Sequence, residues 1–213
     1  MVQTQPQTQP ANQIVEAQAA QTRKFWMRWR VRLGYPVALL YWFLAAPTWR
    51  SIACGTLVAI LGLIVRGAGS GYLRKDRELA VTGPYARTRN PLYLGSAILA
   101  TGFIVAAHSW RAAVLVAAYF GIFYYAVMRN EEDDLRLHFG ADFDAYASRV
   151  PLFFPKIFTA HTALAGAVPA NNGENGFSWA QYRRNREYRA LFGAVGAMAL
   201  VCLRMWIRAR FGY

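Results

Sequence analysis

Four consecutive carboxylates form a distinctive chemical feature of the chain: Glu131, Glu132, Asp133 and Asp134. Adjacent carboxylates repel one another, so this acidic run needs a cation or another partner nearby. An ion pair with Arg129 or Arg89 at a helix end would satisfy the acids structurally. A cationic cofactor or a proton transfer would instead use them functionally. The acidic run by itself leaves both interpretations open.

A second chemically distinctive segment, residues 82–96, contains a Gly-Pro turn followed by Arg89, Asn90 and Pro91. Proline suits the first turn of a helix because its missing N–H would be unpaired there in any case. Arg89 and Asn90 are therefore predicted to cap a helix whose free N–H groups and partial positive charge suit a carboxylate or another anion. A basic loop that binds lipid headgroups is the alternative interpretation.

The elements that must position these segments are apolar helices. Apolar residues make up 55% of the chain and charged residues only 16%. The apolar residues form blocks that approach the roughly 20 residues of a bilayer span. A bilayer core offers no water to the backbone, so each block is predicted to be helical. The predicted spans lie at about 33–49, 51–68, 92–108, 110–128 and 190–207.

The predicted fold class is an all-α integral membrane protein, a bundle of about five transmembrane helices with a cytoplasmic amphipathic helix. The amphipathic helix is predicted at about 130–148, because apolar residues recur there every three or four positions, at Leu135, Phe139, Phe143, Tyr146 and Val150. Glu131, one turn before Leu135, continues this stripe. Arg204 interrupts the fifth apolar block, so four spans plus a surface helix is the alternative.

The basic residues indicate an orientation. They are concentrated in the N-terminal flank, in the loop between the second and third spans, and after the fourth span, whereas each hairpin turn carries a single arginine. The positive-inside rule therefore predicts that the N-terminus, both large loops and any active site they carry are cytoplasmic. The membrane is expected to be a bacterial inner membrane. A net charge of +13 also suggests nucleic acid as a partner. A membrane explains the charge better, because the basic residues fall between apolar blocks and no nucleic-acid-binding motif is present.

Three regions are predicted along the chain: a disordered tail at 1–22, a membrane core at 23–158, and a loop plus C-terminal helix at 159–213. Cys54 and Cys202 lie inside apolar blocks, where cysteine is usually an inert packing residue. The histidines lack the spacing of metal ligands: His108, His138 and His161. No metal site is predicted.

The two chemical segments together resemble the integral membrane methyltransferases of the isoprenylcysteine carboxyl methyltransferase and phospholipid (phosphatidylethanolamine) methyltransferase group. The motifs that carry the resemblance are Gly83-Pro84-Tyr85, Arg89-Asn90-Pro91, Tyr93, Gly95, Glu131-Glu132, Leu135, Phe139-Gly140, Tyr146, Val150-Pro151 and Pro155. Asn90 stands where the isoprenylcysteine branch usually has His. The run from Asn90 to Ser96 looks more like the phosphatidylethanolamine methyltransferases.

This resemblance implies S-adenosylmethionine as the methyl donor and a lipid or a lipidated small molecule or protein as the acceptor. The cofactor-binding residues that it implies are Tyr85, Asn90, Pro91, Tyr93, Gly95, Glu131 and Glu132. The catalytic residues that it implies are Arg89, Arg129, Glu131 and Glu132. Methylation of a headgroup amine and methylation of a prenylcysteine-type carboxylate both stay open at this stage.

Two other functions are compatible with the sequence. A steroid-reductase-like membrane reductase that uses NADPH has a similar topology and a similar Arg-x-Pro-x-Tyr segment, but Gly83-Pro84-Tyr85 and Glu131-Glu132 favour the methyltransferase. A lipid-binding membrane protein that has kept the fold without the chemistry is the non-catalytic alternative, because function must be argued from the site rather than the fold.

Overall fold

The computed structural model describes residues 28–29, 31–74, 78–156 and 176–212 of the 213-residue chain. The predicted disordered tail at 1–22 lies outside the described residues. So does most of the loop predicted after residue 158.

The described residues form helices and no strands, which confirms the all-helical prediction. A short 3₁₀ helix, Gly83–Ala86, follows the second helix. The α-helices are α1 (Val31–Leu44), α2 (Trp49–Tyr72), α3 (Pro91–Ala107), α4 (Trp110–Phe139), α5 (Ala141–Ala147), α6 (Trp179–Arg184) and α7 (Tyr188–Phe211). Three of them, α2, α4 and α7, are long and apolar enough to cross a membrane, and α1 and α3 are shorter apolar helices.

The hairpin turns are set by local capping residues. Thr48 accepts a hydrogen bond from the backbone N–H of Ser51 and Ser51 Oγ accepts one from Thr48, a reciprocal cap that begins α2. Ser109 caps α4 through a single hydrogen bond that its Oγ accepts from the backbone N–H of Ala112. His108, with φ of 47°, ends α3 in the left-handed conformation. Both hairpin turns therefore follow from sequence that is local to them.

Helices α2 and α3 pack antiparallel along a line of small residues. A Cβ atom built on Gly62 would lie 2.5 Å from the backbone nitrogen of Leu99, and one on Gly102 would lie 2.7 Å from the backbone nitrogen of Ala59. Apolar side chains gain little by leaving lipid for a helix interface, so close backbone approach through small residues supplies the packing energy. This contact fixes the start of α3 beside the end of α2.

The predicted amphipathic helix has different boundaries in the structure. Helix α4 continues without a break from the apolar block to Phe139, and Gly140, with φ of 52°, separates it from α5. The residues of the predicted apolar stripe still pack together across this break. Phe143, Tyr146 and Val150 form a buried cluster against Leu135 and Phe139. The sequence therefore located the apolar face correctly but placed the helix start and the helix end incorrectly.

Helix α7 runs antiparallel to α2 over much of the height of the bundle. Near its middle, Val201 packs against Ile52 at the start of α2 and against Ala106 of α3. At its beginning, Glu187 pairs with Arg66 near the end of α2. A helix that follows α2 in this way favours the fifth span over the surface-helix alternative.

Arg204 does not interrupt α7. Its guanidinium carbon lies 5.1 Å from the ring centre of Trp42, and Nη2 donates a hydrogen bond to the carbonyl oxygen of Phe43 at 3.2 Å. The guanidinium is therefore stabilised by a cation–π contact and by a hydrogen bond to a carbonyl at the end of α1. These two interactions make an arginine tolerable on an apolar helix.

We expect Gly62→Ala to destabilise the bundle, because the added Cβ would meet main-chain atoms that cannot move independently of α3. Overpacking of this kind costs about 1–3 kcal/mol. Gly121→Ala in α4 is the matched control, since nothing lies within 4 Å of its Cβ position. Thermal unfolding of purified protein in detergent measures both, and equal melting temperatures for the two variants would refute the packing argument.

Candidate functional site

A large cavity lies at the end of the bundle opposite the hairpin turns. Its volume is about 1330 Å³, which is larger than the roughly 300–1,000 Å³ of a typical small-molecule site. Both segments that the sequence singled out contribute to its wall, together with the start of α7. The chemically active lining residues include Tyr85, Arg89, Asn90, Tyr93, Glu131 and Glu132.

Glu132 is the buried member of the acidic run. Its side chain is only 6% exposed, and its carboxylate lies 2.8 Å from Nη1 of Arg89 and 3.1 Å from Nη1 of Arg129. The Arg129 contact is a hydrogen bond, whereas the approach of Arg89 to Oε1 is a charge contact without hydrogen-bond alignment. The ion-pair interpretation of the acidic run therefore holds for Glu132.

Glu131 has a different environment from its neighbour. It is exposed, it lines the cavity, and its Oε2 accepts a hydrogen bond from the hydroxyl of Tyr93 at 2.8 Å. The edge of the Tyr93 ring is packed against Tyr124, with ring centres 5.7 Å apart, so the hydroxyl is held in place. The sequence had placed Glu131 on the buried stripe, but the structure buries Glu132 instead. Glu131 is thus the carboxylate that a ligand in the cavity can reach.

The beginning of α3 is fixed by a strap, which we define as residues 151–156. The strap meets the loop before α3 mainly through main-chain carbonyls: Asn90 Nδ2 donates to Leu152 O at 3.0 Å, and Thr88 Oγ1 donates to Phe153 O at 2.9 Å. Because the Asn90 amide is used in this way, no side chain caps α3. The anion site that the sequence predicted at the start of α3 therefore stays a prediction.

Two buried tyrosines support the floor of the cavity. The hydroxyl of Tyr146 on α5 donates a hydrogen bond to the carbonyl oxygen of Tyr85 at 2.7 Å. Burial raises the pKa of both phenols above the ordinary value, and the charge of Glu131 raises that of Tyr85 further. Both phenols therefore stay protonated at neutral pH and can act as hydrogen-bond donors but not as bases.

The remaining site predictions fall in two groups. Pro91 is buried and lines the cavity beside Asn90. Gly95 does not line it: a Cβ there would lie 2.6 Å from Cγ of Arg66, so this glycine serves the α2–α3 contact. Arg129 is also absent from the lining, and it meets the site only through Glu132.

Sequence reasoning missed the contribution of Arg66 and Glu187. Arg66 Nε lies 2.5 Å from Glu187 Oε1, and its Nη1 also donates to the hydroxyl of Ser96 on α3. Both charged residues line the cavity. Ionisable residues at the edge of an apolar block usually have a partner, and that was the available signal. The sequence separation of 121 residues hid which partner it was.

Comparison with known proteins agrees with this geometry. Residues 52–142 match the family model for phospholipid methyltransferases, which confirms the resemblance predicted from the sequence. The match covers α2, α3, α4 and the loop between α2 and α3, and it supports a membrane methyltransferase. The segment from α6 onwards lies outside it. No solved structure is significantly similar to the chain.

Two curated relatives are similar over part of their length. The nickel-cobalt-cadmium resistance protein NccN of Alcaligenes xylosoxydans xylosoxydans is 36% identical over 116 residues, which is 52% of this chain and 54% of the relative. The cobalt-zinc-cadmium resistance protein CzcN of Cupriavidus metallidurans is 30% identical over 138 residues, which is 61% of this chain and 62% of the relative. The chain therefore spans little more than half the length of the curated relatives it matches. Their names do not bear on the reaction.

We expect Glu132→Gln to destabilise the protein strongly, because it leaves the nearly buried Arg89 without its counter-charge. Removal of one partner from a buried pair costs about 3–5 kcal/mol. Glu131→Gln is the matched control, since its side chain is exposed. Denaturant unfolding in detergent micelles measures both variants. The double variant Arg89→Met/Glu132→Leu should recover part of the loss, and a Glu132→Gln variant as stable as Glu131→Gln would contradict the ion-pair role.

Proposed function

We propose that the chain is a membrane methyltransferase that uses S-adenosylmethionine to methylate a lipid or a lipidated acceptor. The observation that carries the proposal is the cavity at the start of α3, which places Tyr93 and Glu131 beside the buried Glu132 ion pair. The family match to phospholipid methyltransferases covers these residues. The non-catalytic lipid-binding alternative assigns no task to an exposed carboxylate that is held in position by a tyrosine hydroxyl.

The charges in the cavity fit the proposed donor. When bound, S-adenosylmethionine supplies an electrophilic methyl group on a cationic sulfonium, and the molecule also carries an amino group and a carboxylate. The negative charge of Glu131 in the cavity would favour the cationic sulfonium of the donor at a distance, while the carboxylate itself stays available to the acceptor. The start of α3, where the Asn90 side chain makes no capping hydrogen bond, would hold the carboxylate of the donor.

The cavity is large enough for a second reactant. Its volume of about 1330 Å³ exceeds the range of most single small-molecule sites. In a transfer between two bound molecules, orientation supplies much of the rate, because both reactants are held in one geometry. Glu131 on α4 and Tyr93 on α3 would orient them here, on helices rather than loops.

The distribution of charge favours an amine over a carboxylate as the acceptor. A carboxylate acceptor needs a cation to orient it close to the acidic run, and the two arginines there, Arg89 and Arg129, both already face Glu132. An amine acceptor must lose a proton to become nucleophilic, and Glu131 lies in the cavity where a base is required. We therefore assign Glu131 the task of taking that proton and Tyr93 the task of positioning Glu131.

We expect Glu131→Gln to lower methyl transfer by about 100-fold or more, the scale expected for loss of a general base or a charge-assisted contact. Asp133→Asn is the matched control, because it removes a charge from the same helix without lining the cavity. Transfer of a labelled methyl group to a total lipid extract measures the rate. Calorimetry with S-adenosylhomocysteine and with NADPH tests the cofactor, and binding of NADPH alone would establish the reductase alternative.

The pH dependence distinguishes the two acceptor classes. An amine acceptor should give a rate that rises with pH through an ionisation, because only its neutral form is nucleophilic. A carboxylate acceptor is already ionised above about pH 5 and should give a nearly flat profile there. The buried phenols of Tyr85 and Tyr146 do not contribute, since their pKa values are raised far above neutral. A flat profile from pH 6 to 9 would overturn the amine assignment.

A further inference from the structure

The C-terminal segment forms one wall of the cavity, although it lies outside the region that matches the phospholipid methyltransferases. Asn185, Arg186, Glu187 and Arg189 line the cavity at the point where α6 ends and α7 begins. This wall faces the same space as Glu131 and Tyr93. The family match therefore does not account for all of the chemistry in the site.

This wall is fixed to the end of α2. Asn185 Nδ2 donates hydrogen bonds to the carbonyl oxygens of Ser70 and Leu73, each at 2.9 Å. Glu187 forms its ion pair with Arg66 at 2.5 Å, and the two side chains are 10% and 21% exposed. These contacts hold the residues between α6 and α7 in one position relative to the cavity.

Two arginines on this wall have no carboxylate partner. Arg186 and Arg189 are exposed, and among the described residues no acidic group lies within ion-pair distance of either guanidinium. Glu187, which lies between them in the sequence, forms its ion pair with Arg66. Arg186 also has φ of 54°, a left-handed conformation that is uncommon for a residue with a side chain. The cavity thus has an acidic wall at Glu131 and a cationic wall at the start of α7.

We infer that Arg186 and Arg189 bind the phosphate of the acceptor headgroup while its amine reaches Glu131. The inference rests on the proposed function, since it specifies the acceptor of that same site. Arginine suits phosphate because its planar guanidinium can donate two parallel hydrogen bonds to the oxygens. In a headgroup that carries both an amine and a phosphate, the amine would face the acidic wall at Glu131 and the phosphate would face the cationic wall at the start of α7. The arginine pair is therefore a specificity determinant for phosphate-bearing lipids.

The position of the arginines favours a lipid phosphate over the carboxylate of the donor. They stand at the beginning of α7, an apolar helix whose following residues are largely exposed, with Phe192 70% and Val195 60% accessible. In a bilayer, acyl chains would lie along these side chains and the headgroup phosphate would lie level with Arg189. The site proposed for the carboxylate of the donor is the start of α3, on another wall of the cavity.

The test compares two double variants of the full chain purified in detergent. Arg186→Gln/Arg189→Gln removes the cationic wall, and Arg183→Gln/Arg184→Gln on α6 removes the same charge from arginines that do not line the cavity. Calorimetry measures the binding of dihexanoyl phosphatidylethanolamine, of dihexanoylglycerol, which lacks the phosphate, and of S-adenosylhomocysteine. The single variant Arg189→Gln is included because substitution of Arg186, which has a left-handed backbone conformation, could disturb folding. Arg189 is exposed on a helix, so a loss of phospholipid binding in this variant cannot come from such a defect.

We expect the first double variant to bind the phospholipid about tenfold to hundredfold more weakly, the scale of a lost charge-assisted hydrogen bond. Its binding of dihexanoylglycerol and S-adenosylhomocysteine should not change, and the α6 variant should match the wild type. Equal losses in both double variants would overturn the inference, as would a loss of S-adenosylhomocysteine binding instead. If the wild type transfers no methyl group but its phospholipid binding depends on Arg186 and Arg189, the proposed function fails while this inference stands.

Discussion

A buried carboxylate is stable only beside a positive charge, because burial removes its hydration. The buried carboxylate of Glu132 therefore determines which residues surround it at the site. Its side chain is 6% exposed, and the two guanidinium groups that meet it come from different places: Arg129 from the same helix and Arg89 from the loop before α3. The Arg89 contact therefore fixes where α3 begins relative to the polar end of α4. Tyr93, in the first turn of α3, is then placed where its hydroxyl reaches Glu131.

The sequence predicted the helices well because the bilayer enforces them. An apolar block of span length has no alternative to a helix, so the positions of α2, α3, α4 and α7 follow from hydropathy. The sequence prediction was wrong for the boundary between α4 and α5, which depends on local backbone geometry and not on hydropathy. The change from apolar to acidic residues near Arg129 suggested a boundary, but backbone hydrogen bonds continue through such a change, and α4 ends only at Gly140.

The sequence also predicted the acidic pair but not the roles of its members. Glu131 lies four residues before Leu135 and Glu132 lies three residues before it, so both spacings fit the apolar stripe, and the sequence placed the wrong one, Glu131, on it. The ion pair between Arg66 and Glu187 could not be predicted from residue spacing, because the two residues lie 121 positions apart in the sequence. It exists because α7 returns antiparallel to α2, a tertiary arrangement that no local pattern encodes.

The strap at residues 151–156 is attached by its main chain, and this has a practical consequence. The carbonyl oxygens of Leu152 and Phe153 accept the hydrogen bonds from Asn90 and Thr88, so the identities of the strap side chains are not what holds it. Phe154 is 79% exposed and takes part in none of these bonds. A fluorescent or spin label at that position would sit within a few residues of the cavity and report on its occupancy without altering a single charge in it.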